Sequence, residues 1–503
     1  MTSSEAARSR LPKKSSSLQA GAELEVAFTD LLANGQAVGR AGGMVVFCFG
    51  PLPQERALVS ITAVKPKYAV ATLVRLISGS PFRAQPFCAV FGVCGGCQIQ
   101  HMSYPAQLAW KRDVVRNTLQ RIGGLTGLDV RDTVGMIVAR GYRNKMSLVV
   151  DHRTALPQIG FYQQRSHDVV PIDACPIVAP QLSEFVSRLN KARLDPAIAS
   201  ALEPARHLVA RNARASGQSV LTVTTEAPSE AVEKAAPALQ ARLPGVVGVT
   251  NSFDLNSENA IMGRKHRVLT GTPEIEETIH GVRYRVSAGS FFQVNVEIVA
   301  RIFEFMRPGL NVPRRIVDLY CGAGTFALFF AKHGCDVYGI EESRQAITEA
   351  QSNARLNGLE EKVQFASGRV EEMVARREGR EALRRAQIVF LDPPRKGSDE
   401  ATLGAIASAG VPNVWYLSCD PATLARDLKF LAAKGYRFGV VQPFDMFPQT
   451  GHVETLVTLY SEAGAKRVSV EDAFEGTPPP AAWPAEDPFA RDRLEYPDFV
   501  RHD

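Results

Sequence analysis

Short apolar runs alternate with turn residues near the start of the chain. Leu24-Glu25-Val26-Ala27-Phe28, Met44-Val45-Val46-Phe47 and Ala57-Leu58-Val59-Ser60-Ile61 are separated by Asn34-Gly35, Arg40-Ala41-Gly42-Gly43 and Gly50-Pro51-Leu52-Pro53. Strand-like runs with Gly and Pro punctuation predict a small, OB-like β-barrel over residues 21–80. The period then lengthens. Over residues 103–122 apolar positions recur at Leu108, Val115, Leu119 and Ile122 with Lys111, Arg112 and Arg116 between them, which predicts an amphipathic helix capped by Ser103 with Pro105 in its first turn. Residues 125–285 are mixed, with a strand at Met146-Ser147-Leu148-Val149-Val150 and a helix over 181–191, and residues 194–278 carry no interpretable motif. From 315 to 431 strand and helix patterns alternate, the pattern of an α/β fold with a doubly wound parallel sheet. No internal repeat is evident.

A chain of 503 residues exceeds one hydrophobic core and implies several domains. The boundaries expected are a disordered basic arm (1–20), the barrel (21–80), a mixed α+β central domain with a cysteine cluster (81–285), a nucleotide-binding type α/β domain (286–460) and a disordered acidic, Pro-rich tail (461–503). The formal charge of +6 becomes +11 for the first 460 residues, because residues 461–503 carry ten acids against five bases. That balance favours a polyanionic partner. Without an apolar run of membrane-spanning length or a leader-like start, the expectation is a soluble, cytoplasmic protein with no membrane partner.

The candidate chemistry begins at Ile316-Val317-Asp318-Leu319-Tyr320, a strand running into Cys321-Gly322-Ala323-Gly324-Thr325-Phe326-Ala327. Gly322, Gly324 and Ala327 fit the G-x-G-x-x-A spacing that lets a ligand approach the backbone at a helix N-terminus, and Glu341 closes the next strand where an acid would hold a ribose. A dinucleotide and S-adenosylmethionine both present an adenosine to such a crevice. The later strand end Ile388-Val389-Phe390-Leu391-Asp392-Pro393-Pro394-Arg395 resembles the Pro-Pro turn of many methyltransferases and favours the second. Downstream, Cys419 in Leu417-Ser418-Cys419-Asp420-Pro421 ends another strand-like run. Free cysteines are usually inert packing, but a thiol at a strand end beyond a cofactor turn is placed for covalent catalysis.

Cys88, Cys94 and Cys97 form C-x5-C-x2-C, with Cys175-Pro176 far downstream. Three thiols in ten residues point to metal rather than disulfides in a reducing compartment. Four thiolates suit structural zinc or an iron-sulfur cluster, and the spacing does not separate the two, zinc being the default.

Together Asp318 to Gly324, Leu391 to Arg395, Leu417 to Pro421, Gly451-His452-Val453-Glu454, Gly141-Tyr142-Arg143-Asn144-Lys145 and Ser290-Phe291-Phe292-Gln293-Val294-Asn295 resemble the RNA uracil-5-methyltransferase family. The likeness covers nearly the whole chain. It implies a C-terminal Rossmann-like class I methyltransferase domain, S-adenosylmethionine as cofactor, and a barrel like the TRAM domain of the bacterial 23S ribosomal RNA branch. It implies Cys419 as the nucleophile adding to uracil C6, Glu454 as the base taking the C5 proton, and Gln293, Tyr320, Glu341 and Asp392 lining the cofactor and base pocket. Phe291 would stack an extruded base. In that branch the four cysteines hold a 4Fe-4S cluster, read here as structural, with zinc the alternative. Two positions depart from the pattern: Asp420 stands where asparagine is often found, and Arg369 where a small polar residue would contact adenine. Competing readings are a transfer RNA uracil-5-methyltransferase, whose members generally lack barrel and cluster, and a non-catalytic RNA-binding protein. RNA is the implied partner, and no obligate protein partner is evident.

Overall fold

The computed structural model describes residues 18–461 except 155, 258 and 288. The expected arm therefore lies outside the described residues as far as residue 17, and the expected tail from residue 462. The described residues divide into two compact units, 18–86 with 98–103, and 87–97 with 104–461. The cysteine-bearing segment 88–97 thus belongs with the second unit, while its flanks belong with the first.

In the first unit β1 (Glu23–Leu31), β2 (Gln36–Ala41), β3 (Met44–Phe49), β4 (Arg56–Val64) and β5 (Tyr68–Ser78) close into a barrel in the order β1-β2-β3-β5-β4. Alternate residues such as Val26, Phe28, Val46, Cys48, Val59 and Ile61 fill its interior. Glu55 lies fully buried beneath the turn before β4, accepting from Leu52 N (2.7 Å), Ser80 N (3.1 Å) and both Nε and Nη2 of Arg83 (2.6 Å each). A buried carboxylate satisfied on all sides fixes that turn to the segment that follows β5.

In the second unit one sheet contains β6 (Lys145–Asp151), β7 (Gln158–Tyr162), β8 (Val169–Pro171), β9 (His207–Asn212), β10 (Ser219–Thr224), β11 (Val246–Phe253) and β12 (Lys265–Gly271), in the order β12-β11-β10-β9-β6-β7-β8. The stretch 194–278, opaque in sequence, supplies four of these strands and the helix Glu230–Arg242. A hairpin of β13 (Glu274–Ile279) and β14 (Val282–Ser287) leads to the third sheet.

That sheet holds β15 (Arg315–Leu319), β16 (Asp336–Glu341), β17 (Val363–Ser367), β18 (Ile388–Leu391), β19 (Asn413–Ser418), β20 (Tyr436–Phe444) and β21 (Glu454–Ser461), ordered β17-β16-β15-β18-β19-β21-β20. β15 to β19 are mutually parallel, and β21 enters antiparallel between β19 and β20. Side chains alternate between two cores. Ile388 and Phe390 face one with the helices Val296–Met306 and Thr325–Lys332, while Val389 and Leu391 face the other with the helix Pro421–Ala433. Burial on both faces explains why these strands read as continuous apolar runs. The strand order reverses between β15 and β18, where doubly wound sheets open a crevice. No helix among the described residues is long and apolar enough to cross a membrane.

The helix expected over 103–122 forms as Tyr104–Gly123, but its buried face differs from the expected one. Ile122 is 51% exposed, whereas Gln107 and Lys111 are buried with Val115 and Leu119. Both polar side chains have inward partners: Lys111 is paired with Asp445 and donates to Phe447 O (3.1 Å), and Gln107 Nε2 donates to Gln449 Oε1 (2.9 Å).

Candidate active site

Five strand ends converge on one crevice. β15 runs into a turn in which Tyr320, Gly322 and Gly324 all have positive φ, of 67°, 55° and 85°. Glycine adopts this freely, but for Tyr320 it is strain of about 1–3 kcal/mol held by its surroundings. Gly324 starts the helix Thr325–Lys332, so backbone N–H groups open toward the crevice. Glu341 at the end of β16 accepts from Gly322 N (3.2 Å) and Ser343 N (2.8 Å), tying the turn to the next strand.

Gln293, Tyr320, Glu341, Asp392, Cys419 and Glu454 all line a single cavity of about 1130 Å³. Gln293 Nε2 donates to Asp392 Oδ2 (3.3 Å). The segment carrying Gln293 is fastened by Asn144, whose Nδ2 donates to Gln293 O (3.0 Å) and whose backbone N–H donates to Val294 O (2.9 Å). Asn295 then caps the helix Val296–Met306 through Ile298 N (3.3 Å). The pair Phe291-Phe292 divides its labour: Phe292 is buried in the core, while Phe291 is 74% exposed and lines the cavity.

Cys419 follows the last residue of β19 and Glu454 is the first of β21. The antiparallel register pairs Ser418 with Thr455, so Cys419 and Glu454 are the next opposed positions. Burial pushes the Cys419 thiol up to about 12; Glu454 and Asp392 add to the rise, and Arg395 opposes it. Burial, then Asp392, carries Glu454 up to about 8, again against Arg395, and burial alone raises Asp392 to about 7. Asp318, beneath the turn, is raised well above the ordinary carboxylate value by burial, with Asp392 and Glu341 contributing. Carboxyls crowd this crevice, which suits a cationic ligand.

Asp420 is the N-cap of the helix Pro421–Ala433, accepting from Ala422 N (2.8 Å) and Thr423 N (3.0 Å). An asparagine could supply the same acceptor, so this departure leaves the thiol's position intact. Arg369 lines the cavity and pairs with Glu371. Two features were missed in sequence. Arg395, the fourth residue of the Asp-Pro-Pro-Arg turn, lies on the cavity and acts on both Cys419 and Glu454. Ser398 shares a hydrogen bond with the Tyr320 hydroxyl (3.1 Å), and its N–H is held by Asp427 (2.8 Å), giving the turn a second anchor.

Cys88, Cys94, Cys97 and Cys175 are partly buried, and none is in a disulfide. Burial raises the Cys175 thiol to about 11, with Cys88 and Cys94 adding to it, so these sulfurs feel one another. Among the described residues, however, no group of three or more His, Cys, Asp or Glu side chains is gathered to hold a metal ion. The donor chemistry fits a thiolate-bound centre; the side chains are not drawn into a ligand set.

Residues 142–462 match the family model described as tRNA (uracil-5-)-methyltransferase, and residues 18–74 match the TRAM domain. An uncharacterized RNA methyltransferase of Halalkalibacterium halodurans is 36% identical over 444 residues, covering 87% of this chain and 96% of that protein. One from Thermosynechococcus vestitus is 35% identical over 450 residues, covering 88% and 98%. Among solved structures, the Pyrococcus abyssi tRNA (uracil-54, C5)-methyltransferase in complex with S-adenosyl-L-homocysteine shares the fold, with a TM-score of 0.69 and 24% identity over 87% of this chain and 100% of that one.

Proposed function

The chain belongs to the tRNA (uracil-5-)-methyltransferase family, and from that membership we propose that it methylates C5 of a uridine in RNA, using S-adenosylmethionine and a covalent adduct of Cys419 with uracil C6. The observation that carries this reading is the opposition of Cys419 and Glu454 at paired strand ends within the cavity that also contains the glycine turn.

C5 of uracil is a weak nucleophile. Addition of the Cys419 thiolate at C6 converts the ring to an enolate whose C5 can attack a methyl group. S-adenosylmethionine supplies that methyl on a sulfonium, whose positive charge also favours the ionised forms of the thiol and carboxyls around it. As the new C5–CH3 bond forms, the donor's methyl–sulfur bond breaks. Glu454 then takes the C5 proton, and the electron pair left behind restores the C5=C6 bond and expels the Cys419 thiolate. Arg395 favours the ionised forms of both groups. Gln293, Tyr320, Glu341 and Asp392 bind the cofactor and base, with Glu341 on the ribose. A stacked uracil cannot present C6, so the base is extruded, and Phe291 offers it an exposed ring.

We read the substrate as 23S ribosomal RNA, modified in the cytoplasm. The closed barrel and the four cysteines accompany that branch in the resemblance, and there the cysteines hold a structural 4Fe-4S cluster, zinc being the alternative. Methyl transfer needs no redox step. Transfer RNA is the second reading, favoured by the name of the Pyrococcus abyssi neighbour. Mapping 5-methyluridine in RNA from cells lacking this protein tests both: a site lost from 23S ribosomal RNA is expected, a loss confined to transfer RNA selects the second reading, and no loss in either refutes the activity.

A further inference from the structure

Arg143, Lys145 and Arg211, three cations for which the proposed chemistry has no use, do not line the cavity but are tied to its wall at residues 290–293 through Arg211 and through Asn144, which stands between the other two in the chain. Lys145 on β6 and Arg211 on β9 are directly opposed in the antiparallel ladder, and Arg143 sits two residues before Lys145, its Nε donating to Lys145 O (2.9 Å). Like charges directly opposite in a strand pair are destabilising unless something neutralises them. Arg211 is 2% exposed and spends one donor, Nη2, on Ser290 O (2.7 Å), while its Nε and Nη1 are buried with no hydrogen-bond partner. The acid that acts on Arg211 is Glu349, whose oxygens already accept from the Ser287 and Ser290 hydroxyls. Lys145 is half-buried; burial, then Arg211 and Arg143, pull its ammonium down to about 8. Among the described residues no carboxylate forms an ion pair with any of the three.

Such a cluster is a poor structural device, since buried guanidinium groups destabilise a fold unless paired. It is a good receptor for a tetrahedral oxyanion, which takes several N–H donors at once. Its position says whose. Arg211 and Asn144 both hold the backbone of the cavity wall, at Ser290 O and Gln293 O (3.0 Å), and the exposed Phe291 ring lies between those two residues. A cationic cluster tied to the segment that carries an exposed aromatic ring supplies the two elements used to bind single-stranded nucleic acid.

We propose that the partly exposed Arg143 and Lys145, with the buried Arg211 behind them, form a phosphate cradle that takes a backbone phosphodiester of the RNA strand next to the extruded nucleotide. The cradle rests on the reading of this cavity as an RNA methylation site, and it is a positioning site outside the reacting groups. Arg211, behind the wall, fixes residues 290–293 when the strand is bound, so strand docking and placement of Phe291 and Gln293 are linked.

The test is binding of 23S ribosomal RNA, purified from cells lacking this protein, to the full-length chain over a series of chloride concentrations. Lys145→Met and Arg211→Met are compared with wild type and with Lys234→Met, an exposed lysine paired with Glu230. Loss of one phosphate contact reduces the slope of log affinity against log salt by about 0.7–0.9. Lys145→Met is expected to show that reduction with S-adenosylhomocysteine binding unchanged, and Lys234→Met to keep the wild-type slope. A wild-type slope in Lys145→Met, or an equal loss of S-adenosylhomocysteine binding, overturns the cradle. If Arg211→Met does not fold, the half-buried Lys145→Met still decides. Uridine methylation by wild type is scored on the same RNA: if it is absent while the Lys145→Met slope still falls, the cradle stands and the methylation reading fails alone.

Discussion

Cys419 and Glu454 face each other across the end of an antiparallel strand pair, one step beyond the Ser418–Thr455 register, and the carboxyl helps to keep the thiol protonated. A nucleophile and a proton acceptor at opposed strand ends can serve the two faces of one reaction, addition at C6 and proton removal at C5. Glu454→Gln keeps the shape and removes the base. In this variant methyl transfer should proceed once while release of the product stalls. A protein–RNA adduct surviving denaturing electrophoresis should accumulate on ordinary uridine RNA, with turnover reduced about a hundredfold or more. Rapid turnover without adduct would assign the base elsewhere.

The same burial makes Glu454 a stability liability. Its folded value of about 8 lies above the ordinary 4.5, so between these values the folded state holds a proton that the unfolded chain has lost. The penalty is absent below about pH 4.5, grows as pH rises, and is fully present above about 8. Glu454→Gln should therefore stabilise the fold at pH 9 by on the order of a few kcal/mol, read as a higher melting temperature, and by much less at pH 4. Equal melting temperatures for variant and wild type at pH 9 would contradict the burial argument.

Lys111 and Asp445, 334 residues apart, form an ion pair with both side chains fully buried. Lys111→Met leaves Asp445 charged in the interior and should cost about 3–5 kcal/mol. Adding Asp445→Asn should recover much of that loss in chemical denaturation. Strict additivity of the two substitutions would show that the pair is not coupled.

Lys111 also marks where sequence reading fails. A lysine at helical spacing reads as solvated face, and only the arrival of Asp445 from a loop hundreds of residues away makes burial tolerable. Ile122 was expected in the core for the same local reason and is exposed. The doubly wound sheet was legible because burial on both faces leaves continuous apolar runs, and the glycine turn because positive φ demands those residues. The strands over 194–278 were not legible: β9 and β10 bury polar and apolar residues alike, erasing the alternation that identifies a strand. Cys419 and Glu454 could be named from motifs, but their opposition depends on β21 entering antiparallel beside β19, which no local pattern states.

The four cysteines carry their own test. Anaerobically purified protein should be brown and contain iron and acid-labile sulfide near four each per chain, the stoichiometry of a 4Fe-4S centre. Cys175→Ser should lose most of both. Zinc with no iron would refute the cluster.

The central claim is the covalent step, and RNA bearing 5-fluorouridine tests it most directly, because fluorine cannot leave C5 as a proton does. With S-adenosylmethionine present, the wild-type protein should be trapped in a denaturation-stable adduct with that RNA, and the linked residue should map to Cys419. No adduct should form with Cys419→Ala. An adduct that survives Cys419→Ala would contradict the account.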